Sequence, residues 1–218
     1  MRTKDGAEYK INDWGGLSQV NHKAYFYDES YNNVYNSEAH KKAEKRLMDI
    51  RISLVLAYVS KPTSILDFGY GNGSFLNVAS EHCDDSKGFD IASTDFHVGK
   101  KWKRVDWIDE KNPTQVATFF DSLEHCVNPV EEIKAIGAEY CFVSVPYAHI
   151  GVWNNEEFET WHHRKPNEHL HHFNRQALKN MFKDAGYTCL FTGVVEDEVR
   201  KGKRDEANIL SAVFKKLK

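Results

Sequence analysis

The chain has 218 residues, of which 41% are hydrophobic, 13% aromatic and 28% charged, a globular composition rather than a disordered or fibrous one. Lys and Arg number 29 against 32 Asp and Glu, a formal charge of −3, so no basic excess exists to hold a polyanion and a general nucleic-acid binder is disfavoured. The longest apolar run, Leu54 to Val59, is far too short to cross a bilayer, the N-terminus lacks a secretory apolar core, and four scattered cysteines form no CxxC pair, all of which point to a reduced, cytoplasmic protein.

The length suits one domain over residues 1–218. Residues 1–38 have no clean period but concentrate Tyr25, Phe26, Tyr27, Tyr31 and Tyr35, which read either as a lid segment or as a helix packed on the core. From Ala39 the pattern turns helical, with Ala43, Leu47, Ile50, Leu54 and Ala57 on one face, Ser37 as cap and Lys61-Pro62 as the stop. Thr63 to Phe68 reads as a buried strand, Ser74 to His82 as a helix and Lys87 to Asp90 as a second strand. Lys103 to Ile108 and Gln115 to Asp121 give two more. Asn128-Pro129-Val130-Glu131 starts a helix, with an Asn cap, Pro at the first position and Glu three residues after the cap. Glu139 to Val145 is a strand ended by Pro146, and Asn174 caps a helix that buries Leu178, Met181, Phe182 and Ala185 before Gly186. Tyr187 to Val195 and Asn208 to Phe214 are extended, joined by a charged linker, Glu196 to Ala207, that reads as a solvated hairpin loop. Alternating strands and helices with a closing pair that lacks a crossover helix predict an α/β fold: a doubly wound, seven-stranded, mostly parallel sheet whose last strand is antiparallel.

The most informative stretch is Asp67-Phe68-Gly69-Tyr70-Gly71-Asn72-Gly73, where an apolar strand runs into alternating glycines and a helix follows. Such glycines permit a tight turn and a close backbone approach to a ligand. Asp90 closes the next strand, where a carboxylate can accept hydrogen bonds from both ribose hydroxyls of a nucleoside. A dinucleotide fingerprint reads G-x-G-x-x-G, and here the third glycine comes one position early behind an acidic residue. A carboxylate there repels a pyrophosphate and favours a cation, which argues against a nicotinamide dinucleotide and for S-adenosylmethionine.

Asp67 to Gly73 resembles the first motif of class I S-adenosylmethionine-dependent methyltransferases. Phe119 to His125 with Asn128-Pro129 is similar to the segment those enzymes carry at their fourth strand, and His169 to Asn174 with Leu178 and Ala185-Gly186-Tyr187 resembles the stretch before their last helix. The nearest group is the small-molecule, ubiquinone-methyltransferase-like kind, and the resemblance spans about Ser64 to Tyr187. It implies a Rossmann-like fold, S-adenosylmethionine as cofactor with S-adenosylhomocysteine as product, and methyl transfer to a small molecule at oxygen, nitrogen or carbon. The cofactor residues expected are Asp67, Gly69, Tyr70, Gly71, Gly73, Asp90, Ile91, Asp121 and Ser122, with Asp106, Trp107 and Ile108 placed near the adenine by position, although the stretch from Ile91 to Val116 is short for the family.

Residues 146–172 form an unusually long connection and are expected to cover the substrate. They hold six of the eleven histidines, His149, His162, His163, His169, His171 and His172. Of these, His149, His171 and His172 are the candidate bases, and Tyr27, Tyr31, Tyr147, Trp153 and Trp161 the candidate acceptor contacts. His162, His163, His169 and His171 could together ligate zinc, but no Cys or second ligand set has a recognised spacing, and no metal is expected. Two alternatives remain open: a binding module that has lost turnover, and a nicotinamide-dependent oxidoreductase. The acceptor and the oligomeric state are left open too.

Overall fold

A computed structural model describes residues 1–25, 38–91, 101–106, 108, 111, 113–202 and 206–218, with backbone alone for 38–41. Its main sheet is built from strands β3 (Ile65–Phe68), β4 (Ser86–Phe89), β5 (Lys103–Val105), β6 (Val116–Phe120), β7 (Tyr140–Pro146), β9 (Tyr187–Gly193) and β10 (Ile209–Lys216). A smaller sheet holds β1 (Tyr9–Ile11), β2 (Leu17–Gln19) and β8 (His171–His172). The helices are α1 (Glu38–Tyr58), α2 (Ser74–Ala79), α3 (Pro129–Ile136), α4 (Asn155–Glu159) and α5 (Arg175–Asp184).

The large sheet has the order β5-β4-β3-β6-β7-β10-β9. Strands β5, β4, β3, β6 and β7 are parallel, and β10 runs antiparallel to both of its neighbours, as the sequence predicts. Side chains alternate across the pleat. Leu66, Phe68, Ala117, Phe119, Cys141, Val143 and Val145 pack with α3 and α5, while Ile65, Val116, Phe120 and Phe142 pack with α1 and α2 on the other face. Burial on both faces is why these strands read as apolar runs. At the edge, β5 exposes Lys103 and Arg104, charges that blunt it against pairing with another chain.

Several expectations need correction. The buried face of α1 is Met48, Arg51, Ile52 and Val55, continued by Val59 just past its end, whereas Ala43 and Ala57 are exposed; the helix is rotated from the expected stripe. The linker after β9 is not a solvated loop: Val195–Glu198 forms a 3-10 turn, and Glu196 is 1% exposed. The small antiparallel sheet was not expected at all. It joins the N-terminal hairpin to β8 through Leu17 opposite His172 and Ser18 opposite His171. Together with residues 148–161 it encloses a separate core of Ala7, Tyr9, Ala148, Phe158 and Trp161. Phe26, Tyr27, Tyr31, Tyr35 and Trp107 lie outside the described residues. Among the described residues no helix is long and apolar enough to cross a membrane, and all four cysteines are unpaired.

Candidate functional site

The strand order reverses between β3 and β6, and in open α/β sheets ligands bind beyond the carboxyl ends of the strands at such a point. The glycine loop leaves β3 there. Gly69, Gly71 and Gly73 have φ of 79°, 53° and 76°, the left-handed region that L side chains avoid. Each meets a different neighbour. A Cβ on Gly69 would lie 2.6 Å from Ser122 Cβ, so the turns after β3 and β6 touch. A Cβ on Gly73 would lie 2.6 Å from the Trp102 ring. A Cβ on Gly71 would meet nothing within 4 Å, which makes this the side open to a ligand.

The loop is fastened from two directions. Its Gly71 N–H donates to Asp90 Oδ2 at 2.9 Å, and Asn72 Nδ2 and Ser74 Oγ both donate to Glu44 Oε1 of α1, at 2.7 and 2.9 Å. Asp67 is 3% exposed and accepts from Thr118 Oγ1 of β6 at 2.6 Å. Burial pushes its carboxyl up to about 7, against the pull of the Thr118 hydrogen bond and the Arg51 charge. Tyr70 departs from expectation: its ring is buried and packs on Trp102 and Leu76, so the backbone alone lines the turn. Ile91 is 78% exposed beside Asp90. Asp106 is an exposed residue paired with Arg104 at 3.6 Å.

The turn after β6 carries Asp121, a non-glycine residue at φ 58°. Arg51 Nη2 donates to its Oδ2 at 2.7 Å, and Arg200 donates to both of its oxygens, at 2.9 and 2.8 Å. Both arginines also hold Glu196, which accepts from Ser144 Oγ of β7 as well. Burial alone pushes Asp121 and Glu196 up, but the two guanidinium groups overcome it and hold both below the usual carboxylate range. Four side chains, Arg51 of α1, Asp121 of the β6 turn, Glu196 of the 3-10 turn after β9 and Arg200 just past it, thus form a charge-balanced network with Arg51 and Glu196 buried and Asp121 and Arg200 partly exposed. Sequence reasoning missed Glu44, Arg51, Glu196 and Arg200. Arg51 gave a signal, a lone charge between Ile50 and Ile52, seven residues from Glu44 and so on the same helix face.

The candidate bases have different surroundings. His149 Nε2 pairs with the Ala207 carbonyl at 2.8 Å, and its ring stacks on Tyr147 at 4.5 Å. Ser18 Oγ lies 2.7 Å from His171 Nδ1. His172 is wedged among Tyr9, Phe158 and Trp161, where burial pulls it down to about 3, so it is a neutral packing group. Trp153 packs on His149 and Trp161. It also lines a cavity of about 420 Å³ with Tyr9, Ile11, Leu17 and Phe158, on the side of the small sheet.

Residues 38–191 match the family model described as a methyltransferase domain. No curated protein matches the sequence. Among solved structures, 1,6-didemethyltoxoflavin-N1-methyltransferase from Burkholderia thailandensis, crystallised with 1,6-didemethyltoxoflavin and S-adenosylhomocysteine, is similar, with a TM-score of 0.59 and 13% identity over 97% of this chain and 100% of that one. Magnesium protoporphyrin IX methyltransferase from Synechocystis PCC 6803, with S-adenosylhomocysteine bound, gives 0.60 and 12% over 86% and 93%. The [4+2]-cyclase SpnF gives 0.55 and 13% over 90% and 87%, so the sheet by itself does not decide the reaction. The family match does: the chain belongs to the methyltransferase domain family.

Proposed function

We propose that this methyltransferase binds S-adenosylmethionine in the crevice over β3 and β6 and passes its methyl group to a small-molecule acceptor, leaving S-adenosylhomocysteine. The observation that carries the reading is Gly71: a left-handed residue, fastened by Asp90, with open space where any other side chain would stand. Bound there, the cofactor supplies a sulfonium-activated methyl group for in-line attack by a nucleophile. The chain's task is placement and exclusion of water.

Asp90, at the end of β4, is set to accept from ribose hydroxyls, and Gly69, Gly71, Gly73 and the Tyr70 backbone let the ligand approach closely. Asp67 stands behind the turn with a carboxyl that burial leaves half ionised near pH 7, Asp121 and Ser122 form the wall on the β6 side, Ile91 is assigned to the cofactor, and Asp106, Trp107 and Ile108 are assigned to the adenine by position. Residues 146–172 are assigned to the acceptor, with Tyr147 at the end of β7. His149 is the preferred base among the three histidines. An Nε2–H donated to the Ala207 carbonyl leaves Nδ1 with the lone pair that takes a proton. Tyr27 and Tyr31 remain candidates for a lid.

Membership in the methyltransferase family removes the nicotinamide alternative. The small-molecule acceptor is supported by the chain's net negative charge and by the absence of a basic excess. A melting experiment with S-adenosylmethionine, S-adenosylhomocysteine and NAD tests the reading. At about 100 times the dissociation constant the first two should add about 2.7 kcal/mol, or roughly 5–10 °C for a chain of this size. Asp90→Ala should weaken both by about tenfold or more. Stabilisation by NAD alone would overturn the proposal, and cofactor binding without S-adenosylhomocysteine release across a panel of hydroxyl, amine and carbon acceptors would mark a binding module.

A further inference from the structure

The 3-10 turn Leu123–His125, which follows the β6 crevice wall, holds a second cluster that methyl transfer does not use. One donor atom each from Glu124, His125 and His169 lies within 4.8 Å of the other two. Glu124 is 1% exposed and His169 4%. Glu124 Oε2 and His169 Nδ1 are buried with no hydrogen-bond partner among the described residues. Buried polar atoms are rarely left so, because each forfeits its hydration without replacement. Hydrogen bonding inside the cluster does not account for them, since His125 Nε2 stands 4.0 Å from Glu124 Oε1, beyond hydrogen-bond reach.

We propose that Glu124, His125 and His169 bind one divalent first-row transition ion, of which Zn²⁺ and Mn²⁺ suit the donor set. Two imidazole nitrogens and one carboxylate oxygen are ligands of this class of ion, and three protein ligands leave positions for water or another donor atom. Ligand bonds of about 2.1 Å require the three side chains to draw together by only part of their present separation. The backbone already holds the two halves in place: Leu170 N–H donates to the Glu124 carbonyl at 2.7 Å, and His169 N–H to the Lys165 carbonyl at 2.8 Å. Asp121 is not a fourth ligand, because Arg51 and Arg200 occupy its carboxylate. The lack of a recognised spacing in the sequence has a simple cause: the second histidine arrives from a segment more than forty residues away and is delivered only by the fold.

The test is calorimetric titration of the full chain, first stripped with EDTA, with ZnCl₂ and separately with MnCl₂, alongside metal counting by mass spectrometry. One ion per chain, with a dissociation constant of about 1 µM or tighter for at least one of the two, is expected. Glu124→Gln and His169→Gln, close in shape to the originals, should each weaken it by about 100-fold, since even partners behind the ligands are worth roughly 10–100-fold. The control His162→Ala should leave it unchanged. The visible spectrum of the Co²⁺-loaded unsubstituted chain gives a second readout that requires no variant to fold, with ligand-field bands expected from nitrogen and oxygen ligation. Failure of both ions to bind, binding that survives both substitutions, or a Co²⁺ spectrum identical to that of the ion in buffer would each overturn the site. None of these readouts depends on the methyl acceptor or on cofactor binding.

Discussion

Two residues of the glycine loop separate binding from folding. Gly71 and Gly73 have similar left-handed backbones, so alanine at either one carries about 1 kcal/mol of strain. At Gly71 the added methyl enters open space on the ligand side; at Gly73 it enters the Trp102 ring. Gly71→Ala should therefore cost about 1 kcal/mol of stability but lower S-adenosylhomocysteine affinity by about tenfold or more. Gly73→Ala should cost about 3 kcal/mol, strain plus overpacking. Urea unfolding and calorimetry on the two variants check the contrast, and equal stability losses would contradict it. Asp67 gives a pH signature. Its carboxyl is pushed up to about 7 from an ordinary 3.8, so between those values the folded chain holds a proton the unfolded chain has released. That proton is lost as pH rises, and stability falls with rising pH through this window. Asp67→Asn removes the slope. Relative to the parent chain, the variant should gain stability from about pH 5 to about pH 8, by no more than roughly 3 kcal/mol. Urea midpoints at the two pH values measure it, and parallel shifts would show an ordinary carboxyl.

At the scale of elements, the buried charges decide how α1 meets the sheet. Arg51 lies over the Phe120 ring at 4.5 Å and bridges Asp121 and Glu196, so it joins α1 to the β6 turn and to the 3-10 turn after β9. Arg51→Met leaves Glu196 in the interior with Arg200 as its remaining cationic partner and should cost about 3 kcal/mol in urea unfolding. The network's contribution is fully present above the ordinary carboxylate range and is lost as pH falls through the depressed values of Asp121 and Glu196, the opposite sign to Asp67. Acid unfolding of Arg51→Met should accordingly begin at a higher pH than that of the parent. These contacts explain which elements could be read from sequence. The strands β3, β6, β7 and β10 were legible because burial on both faces leaves unbroken apolar runs, and α3 and α5 because Asn128 and Asn174 sit at their caps. The glycine loop and Asp90 were legible because the backbone geometry admits little but glycine. The face of α1 was not. A period count cannot tell that Arg51 is neutralised by two carboxylates and so belongs to the buried side. The charged run after β9 misled for the same reason, since its partners lie far away in sequence. β1, β2 and β8, at three, three and two residues, are too short to show a period.

The whole molecule has two centres of unequal strength. The seven-stranded sheet is packed on both faces, whereas the small sheet and residues 148–161 enclose five buried side chains, Tyr9 among them. Tyr9 is 1% exposed, meets Phe158 edge-on at 5.1 Å and touches the His172 ring at 5.5 Å. Its removal empties the middle of the smaller core while leaving the glycine loop, Asp90 and the arginine network untouched. Truncating a buried aromatic costs roughly 3–5 kcal/mol, and that loss should fall on local opening of the smaller unit before it reaches the sheet. In Tyr9→Ala, amides of β1, β2 and β8 should exchange with solvent about 100-fold faster or more, since 1.4 kcal/mol corresponds to about a tenfold change. Amides of β6, β7 and β10 should keep their protection, and affinity for S-adenosylhomocysteine should change by less than about twofold, because Tyr9 packs in a core cluster separate from those of the main sheet and the glycine loop. The link most exposed to failure is Leu170, whose N–H donates to the Glu124 carbonyl at 2.7 Å and couples the small sheet to the turn after β6. If that bond transmits the opening, protection in β6 will fall together with that in β8 and cofactor affinity will drop with it. The two centres would then unfold as one cooperative unit, and residues 146–172 would be part of the cofactor site's support rather than an independent cover over the acceptor.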